Sequence, residues 1–224
     1  MSFICSFCNK EYKREASFLK HSCRQKERFD KRGDKEVRIG FNAYIKFYDL
    51  TTKAQKQKTP EDFRISKFYD EFVKFGEYCD SIKAIDVEKY VEFLVKKNKK
   101  IHMWYKDSTY NEFIKEYLKT ENILDALQRG LRYGIRWSNR NNRDIVQLFN
   151  EGKQNEICNA IKDGKISPWI LYNCKSGIDF IEGLGSYQQD YIWVTIDPSY
   201  WNDKFNKHSE DVLYIKSTLN DLGW

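Results

Sequence analysis

The sequence predicts a mainly α protein in which a small N-terminal ββα-like zinc finger is followed by an all-helical domain. Three cysteines and a histidine are spaced over the first 23 residues in the manner of a metal-binding finger. Beyond residue 36, apolar side chains recur at helical spacing between residues that begin and end helices. Only three prolines and 11 glycines occur in 224 residues, which argues against a β-sandwich with many turns.

Four residues near the N-terminus form a candidate metal site with the spacing Cys-x2-Cys-x12-His-x-Cys. They are Cys5, Cys8, His21 and Cys23. A unit of about 25 residues is too small to fold on apolar burial alone, so a structural zinc ion would supply the missing stability. Four protein ligands also leave no open position for catalysis. The sequence therefore predicts Zn²⁺ as a structural cofactor.

The apolar positions of this segment agree with a finger, but its last gap does not. Phe3, Tyr12 and Phe18 stand where a ββα finger places its core side chains. One residue separates His21 from Cys23, and positions two apart on a helix point about 200° apart around the axis. We therefore expect the helix to end at or just after His21, so that Cys23 can fold back. The alternative is that a distant histidine completes the site, either His102 or His208.

The finger is basic, which points to an anionic partner. Residues 1–35 hold ten Lys/Arg and five Asp/Glu, whereas the other 189 residues hold 29 and 28, from totals of 39 and 33. If the finger binds DNA, the helix positions facing the bases are Arg14, Ser17 and Lys20. Arg24 and Arg28 could contact phosphates without reading sequence. The same side chains suit an acidic protein, so both partners remain open.

The rest of the chain is predicted to be helical. We assign residues 1–24 to the finger, 25–36 to a basic linker and 37–224 to a helical domain, and interpret the linker as a hinge or a short exposed helix. Capping residues precede several apolar runs, as at Thr59 with Pro60 and at Asp86. Helices are predicted in 37–50, 59–79, 86–100, 107–120, 122–137, 143–150, 153–164, 167–174 and 209–224. One strand is plausible at 190–196, "DYIWVTI", because its residues are β-branched and aromatic.

An arginine stripe in residues 129–143, "RGLRYGIRWSNRNNR", is a second candidate binding surface. On a helix, five arginines would fall within about 80° of one another: Arg129, Arg132, Arg136, Arg140 and Arg143. We expect the opposite face to carry Leu124, Leu127, Leu131 and Ile135. If "SNRNN" ends the helix near Ser138, only the first three arginines align. With Trp137 beside them, they could bind phosphates and bases, or bind an acidic protein. The other alternative is a solvated helix face that pairs with Asp/Glu of the acidic C-terminal segment, residues 177–224.

The chain is predicted not to be an enzyme and to have no small-molecule substrate. The segment "GLGSYQQ", residues 183–189, lacks the Lys-Ser/Thr of a phosphate-binding loop, and the three histidines match no catalytic motif. Neither a membrane span nor a signal peptide is expected, so the protein is predicted to be cytoplasmic. Three further cysteines are expected to be buried thiols: Cys79, Cys158 and Cys174.

The finger and basic linker, followed by "VRIGFNAYIKFYDLTT" and "KFYDEFVKFGEYC", resemble a family of small zinc-finger-bearing proteins of myovirus-type tailed phages, the baseplate hub assembly catalysts. The resemblance covers most of the chain. It implies a non-enzymatic factor that helps the tail hub assemble in the host cytoplasm by docking protein partners. The alternative is a nucleic-acid-binding accessory protein of phage replication or transcription, in which the finger and the arginine stripe bind DNA or RNA along one basic path.

Overall fold

The structure, a computed structural model, describes residues 2–52 and 57–224. The chain divides into two compact units, Met1–Lys106 and Asp107–Trp224. Within the described residues there are fifteen α-helices, three short 3-10 helices and one two-stranded sheet. The predicted mainly α fold is therefore confirmed. The boundary at Lys106 lies inside segment 37–224 and was not predicted, and the domain limits at residues 24 and 36 remain predictions.

The first unit begins with the finger. Strands β1 (Phe3–Ile4) and β2 (Glu11–Tyr12) pair antiparallel, with Phe3 opposite Tyr12, and helix α1 (Glu15–Leu19) follows. Phe18 on α1 lies with its ring centroid 6.0 Å from that of Phe3 and 6.0 Å from that of Tyr12. These three rings are the core that the sequence predicts for the finger.

Helix α2 (Arg24–Asp30) begins directly after the finger and occupies the predicted linker. A 3-10 helix at 31–33 then leads into α3 (Lys35–Thr51). Helix α2 packs against α4 (Pro60–Ile65), and the ring of Phe29 lies 5.4 Å from that of Phe7 in the finger. Of the two interpretations of the linker, the short helix is the one observed, and it is packed on the unit.

The remaining helices of the first unit are α4, α5 (Tyr69–Ile82) and α6 (Val87–Lys96). Thr59 begins α4 with a capping box, because its hydroxyl accepts the Asp62 N–H at 3.1 Å and its own N–H donates to the Asp62 carboxylate at 2.9 Å. Helix α3 packs along α5 and α6. A Cβ added at Gly76 of α5 would overlap the carbonyl oxygen of Glu36, so glycine lets the two backbones approach closely.

The second unit is a cluster of nine helices in the described chain. They are α7 (Asp107–Thr120), α8 (Ile123–Asn141), α9 (Leu148–Glu151), α10 (Gln154–Lys162), α11 (Pro168–Leu171), α12 (Lys175–Glu182), α13 (Ser186–Trp193), α14 (Pro198–Lys207) and α15 (Ser209–Asp221). The rings of Trp169 and Trp201 are buried at its centre, 6.1 Å apart and edge to face.

The strand predicted at 190–196 is wrong, because most of this segment belongs to helix α13. Gln188 caps the helix start by accepting the N–H of Gly185 at 3.1 Å. Ile192 is fully buried while Asp190 and Val194 are exposed, and α13 packs on α10. Strand propensity is context-dependent, and here helical packing overrides it.

Candidate metal centre and basic surfaces

The four predicted ligands come together in one cluster. The ligand atoms of Cys5, Cys8, His21 and Cys23 all lie within 4.8 Å of one another. The Sγ atoms of Cys5 and Cys23 are 3.6 Å apart, and Cys8 Sγ lies 3.3 Å from His21 Nε2. Zinc bonds of about 2.3 Å to sulfur and about 2.0 Å to nitrogen give tetrahedral edges of about 3.8 and about 3.5 Å. The cluster could therefore hold a metal ion, and its dimensions are consistent with zinc.

A tight turn presents the first two thiols on the same side. The Asn9 N–H donates to the Cys5 carbonyl at 2.8 Å, and the Cys5 N–H donates to the Lys10 carbonyl at 3.0 Å. Asn9 has a φ of 56°, a left-handed conformation that asparagine adopts more readily than most residues. The turn between β1 and β2 thus places the thiols of Cys5 and Cys8 where both could bind one metal ion.

The short last gap is explained by an early helix end. Helix α1 ends at Leu19, two residues sooner than the end expected at His21. Cys23 then takes an extended conformation (φ −109°, ψ 102°) immediately before α2. It is Cys23, rather than His102 or His208, that joins the cluster. The fourth candidate ligand is therefore also the residue from which α2 begins.

The thiols of the cluster differ in their affinity for protons. The backbone N–H groups of Phe7 and Cys8 stabilise the Cys5 thiolate and lower the pKa of Cys5 to about 6. The N–H of Lys10 acts in the same sense on Cys8, but burial and the neighbouring sulfur atoms of Cys5 and Cys23 outweigh it and raise the Cys8 pKa. Metal binding to such a cluster releases the remaining protons.

The finger carries both cationic and apolar side chains on its surface. The predicted contact residues Arg14, Ser17 and Lys20 are all exposed. No ion pair among the described residues includes Arg14 or Lys20. Leu19, on the same helix, is 74% exposed, and Ile4 on β1 is 59% exposed. The finger therefore offers a mixed surface, not only a basic one.

The assignment of Arg28 as an exposed phosphate contact is wrong, because its side chain is buried. Its Nη1 donates to the Arg64 carbonyl at 2.7 Å, and its Nη2 lies 3.2 Å from the Asp70 carboxylate. Its guanidinium stacks on the ring of Tyr69, 4.2 Å from the centroid. Arg24 remains exposed but also pairs with Asp70. These contacts hold α2 on the rest of the first unit.

The arginine stripe is only partly at the surface. Helix α8 continues past Ser138 to Asn141, yet Arg129 is only 8% exposed and Trp137 only 4%. Arg129 pairs with the carboxylate of Glu121, and its Nε donates to the Gly164 carbonyl at 2.6 Å. The assignment of Arg129 and Trp137 as partner-binding residues is therefore wrong.

Glycines explain why the face of α8 was misassigned. A Cβ at Gly130 would overlap Ile170 Cδ1, and one at Gly134 would lie 2.8 Å from Ile145 Cδ1. These small residues let α8 pack closely, so the buried face follows the glycines and Trp137. Of the residues expected opposite the arginines, Leu124 and Ile135 are exposed, whereas Leu127 is buried.

The other four arginines of the stripe differ in their ion pairing. Arg140 pairs with Glu156, and Arg143 Nε lies 3.0 Å from the Glu151 carboxylate. Arg132 and Arg136 remain exposed and take part in no ion pair within the described residues. Three of the five arginines are therefore paired within the chain, but their partners Glu121, Glu151 and Glu156 all precede the acidic segment 177–224 that was expected to supply them. Glu121 in particular was missed, because it lies before the helix and carries no sequence signal.

The three remaining cysteines are buried free thiols, as expected. They are Cys79, Cys158 and Cys174, and burial raises the pKa of each. A thiol that keeps its proton is a weak nucleophile and a weak metal ligand. These positions therefore contribute to packing.

Comparison with known protein families, with curated proteins and with solved structures found no match to this chain. Among the helices that the structure describes, none combines the length and the apolar composition that crossing a membrane requires.

Proposed function

We propose that this chain is a non-enzymatic assembly factor of the kind that helps the baseplate hub of tailed phages to form in the host cytoplasm. Its finger would dock a protein partner. The observation that carries the proposal is the exposed surface of α1, where Leu19 directly precedes Lys20 and Arg14 directly precedes the helix, with neither cation in an ion pair among the described residues. Apolar side chains interspersed with arginine are typical of protein interfaces.

Zinc is the metal that we assign to the finger. Three thiolates and one imidazole form a donor set that structural zinc sites use, and the cluster has the dimensions of a tetrahedral shell. Zinc would supply folding free energy to a module with a core of only three rings. Cys5, Cys8, His21 and Cys23 would fill its coordination sphere, so the site supports a docking surface and not a reaction.

The partner surface is expected to be acidic with an apolar centre. Arg14 and Lys20 would face carboxylates, and Leu19 would enter an apolar depression between them. Ser17, on the same short helix, could donate or accept a hydrogen bond at the rim. Complementary charge of this kind favours fast association and correct orientation more than affinity.

Nucleic-acid binding is the second candidate function, favoured by the concentration of ten Lys/Arg in residues 1–35. A single finger covers only about 3 bp of duplex. Burial of Arg28, Arg129 and Trp137 also shortens the basic path that this function requires. The surface left for it consists of the finger with Arg24, and separately Arg132 and Arg136.

The two candidates are separated by a salt titration. The zinc-loaded chain is mixed with a short duplex and a single strand at several salt concentrations, with Cys8→Ser as the control. Phosphate binding weakens linearly in log salt concentration. We expect no binding near physiological salt. Tight, salt-dependent binding that the Cys8→Ser variant loses would favour the nucleic-acid candidate and contradict our proposal.

The assembly role is tested directly by co-expressing the chain with baseplate hub subunits of a myovirus-type phage and measuring hub complexes by sedimentation. We expect Leu19→Asp to reduce the yield of complexes about tenfold, because it places a charge in the proposed contact. Leu213→Asp is the matched control, since Leu213 is an exposed leucine on α15. Equal yields with and without the chain would contradict the assembly role.

A further inference from the structure

A second candidate site lies in the first unit, where α2, α3, α4 and α5 meet. It is a pocket of about 260 Å³ whose lining combines four aromatic rings with four arginines. The arginines are Arg28, Arg32, Arg38 and Arg64. The rings of Phe63 and Tyr69 form part of the floor, with their centroids 4.7 Å apart. The pocket is separate from the four-residue metal cluster.

The charge of this pocket is not balanced by the chain. Arg28 pairs with Asp70, but no described residue forms an ion pair with Arg32, Arg38 or Arg64. Glu61 is the one acidic residue among the described lining residues. Arg32 and Arg38 are exposed at the rim, whereas Arg64 is half-buried, and a guanidinium partly removed from water without an anion is costly. An anionic ligand would offset this cost.

Several hydrogen-bond donors of the lining are buried without a partner among the described residues. They are Arg28 Nε, Arg64 Nε, Arg64 Nη1 and the hydroxyl of Tyr69. Arg28 and Tyr69 are each more than nine-tenths buried. Buried donors are almost always paired in folded proteins. These atoms have almost no exposed surface, so a ligand that brings acceptor oxygens would satisfy them by drawing the side chains toward the pocket, whereas an apolar ligand would not.

We infer that this pocket binds an acidic side chain and an adjacent aromatic side chain of a protein partner. The inference rests on the proposed function, because it names the partner segment that docks beside the finger. The paired N–H groups of an arginine guanidinium match the two oxygens of a carboxylate. The aromatic ring of the partner packs on the aromatic floor of the pocket. Glu61 lines the pocket and Asp70 pairs with Arg28, so both add negative charge to the site. This charge favours a ligand with an isolated carboxylate over a polyphosphate chain.

The binding is measured by calorimetry on the full, zinc-loaded chain with the blocked peptide acetyl-GEFGG-amide. Its matched control is acetyl-GQFGG-amide, which has the same shape without the charge. We expect the acidic peptide to bind and the neutral one to bind at least about tenfold more weakly, because charge-assisted hydrogen bonds are the stronger ones. Equal affinity for the two peptides, or binding of neither, would overturn the inference.

The variant Arg64→Met tests the pocket itself. We expect it to weaken binding of the acidic peptide about tenfold or more, while Tm stays the same or rises, since the substitution removes unpaired buried donors. A purely structural role for Arg64 would lower Tm instead. Arg32→Met, at the exposed rim, is the second variant and is expected to weaken binding less. Lys216→Met on α15 is the control and should bind as the unmodified chain does. Unchanged affinity in Arg64→Met would refute the assignment.

Thymidine 5′-monophosphate is the competing probe. If it binds, loses affinity in Arg64→Met, and the acidic peptide does not displace it, the pocket is a nucleotide site. That result would overturn the inference and favour the nucleic-acid candidate. If neither probe binds while hub assembly still depends on Leu19, the inference fails and the proposed function stands.

Discussion

The sulfur atoms of Cys5 and Cys23 lie 3.6 Å apart, although 18 residues separate them in the chain. Cys5 begins the turn between the two strands, and Cys23 directly precedes α2. A metal ion held between them would join the two ends of the finger. The same ion would connect the finger to a helix that Arg28 and Asp70 hold on the first unit.

Removal of one ligand is expected to abolish metal binding. The purified chain should contain about one zinc ion, and Cys8→Ser should contain little, because three ligands bind structural zinc poorly. Metal analysis gives the stoichiometry, and amide NMR signals of residues 2–23 report the loss of structure. Cys158→Ser is the matched control, since Cys158 is a buried thiol outside the cluster. Full zinc content in Cys8→Ser would show that Cys8 is not a ligand.

The close approach of α3 and α5 should make Gly76 intolerant of a side chain. Gly76→Ala is expected to lower the free energy of unfolding by about 3 kcal/mol, because the new Cβ overlaps the backbone of Glu36. The better helix propensity of alanine, about 1 kcal/mol, does not compensate. Denaturant unfolding measures the difference.

Gly33→Ala is the comparison for Gly76. No atom lies within 4 Å of a Cβ added at Gly33. The substitution should be neutral or raise the free energy of unfolding by about 0.4–1 kcal/mol, since it restricts the unfolded chain. Equal effects of the two substitutions would contradict the packing described for α3 and α5.

Substitution of Arg129, which belongs to the buried ion pair of the second unit, should lower the free energy of unfolding more than substitution of its neighbour Arg132 on α8. Arg129→Leu is expected to lower the free energy of unfolding by about 3–5 kcal/mol, because it leaves the carboxylate of Glu121 buried without its cation. Arg132→Leu, on the exposed side of the same helix, should change the free energy of unfolding by no more than about 0.5 kcal/mol. Similar losses for both, measured in urea, would argue that Arg129 is not buried.

Acid should lower the stability of the first unit, because two of its carboxylates have lowered pKa values in the folded state. A hydrogen bond from Lys35, assisted by Lys83, lowers the pKa of Asp80, and a hydrogen bond from Lys46 lowers that of Glu88. A depressed folded-state pKa stabilises the protein above the unfolded-state value, and this contribution is lost as the pH falls through the folded-state value. Tm should therefore fall between about pH 5 and about pH 2.

The double variant Asp80→Asn, Glu88→Gln tests this acid dependence. It should have a lower Tm at neutral pH and a smaller fall of Tm in acid, because the two groups no longer titrate. Each pair has one exposed partner, Lys35 in the first and Glu88 in the second, so added salt should reduce the difference between the variant and the unmodified chain. A fall in Tm that is the same in both proteins would assign the acid sensitivity to other carboxylates.

Features set by neighbouring residues could be predicted from the sequence. The metal cluster follows from ligand spacing, and the helix starts at Thr59 and Asp86 follow from side chains that cap the next turn. That α1 ends before Cys23 follows from the single residue between His21 and Cys23, although the helix ends two residues sooner than this spacing requires. Each of these features depends on contacts within about 20 residues of chain.

Features set by distant packing could not be predicted. Glu121 and the Gly164 carbonyl bury Arg129, and no local pattern indicates these partners. The arginines of α8 were expected to share one exposed face, but the glycines that fit against Ile170 and Ile145 determine which side of the helix is buried. In the same way, the β-branched residues of 190–196 favour a strand until α10 supplies a surface for a helix.

Because Cys23 lies in the metal cluster and directly precedes α2, no flexible linker separates the finger from the rest of the first unit. One residue would both bind the metal and begin α2, so the surface of α1 is presented at a set angle to the helices behind it. A partner that contacts both regions would meet a preorganised surface and would lose little conformational entropy in ordering it. Insertion of a few glycines after Cys23 would leave every contact residue in place and still weaken binding, because this preorganisation would be lost.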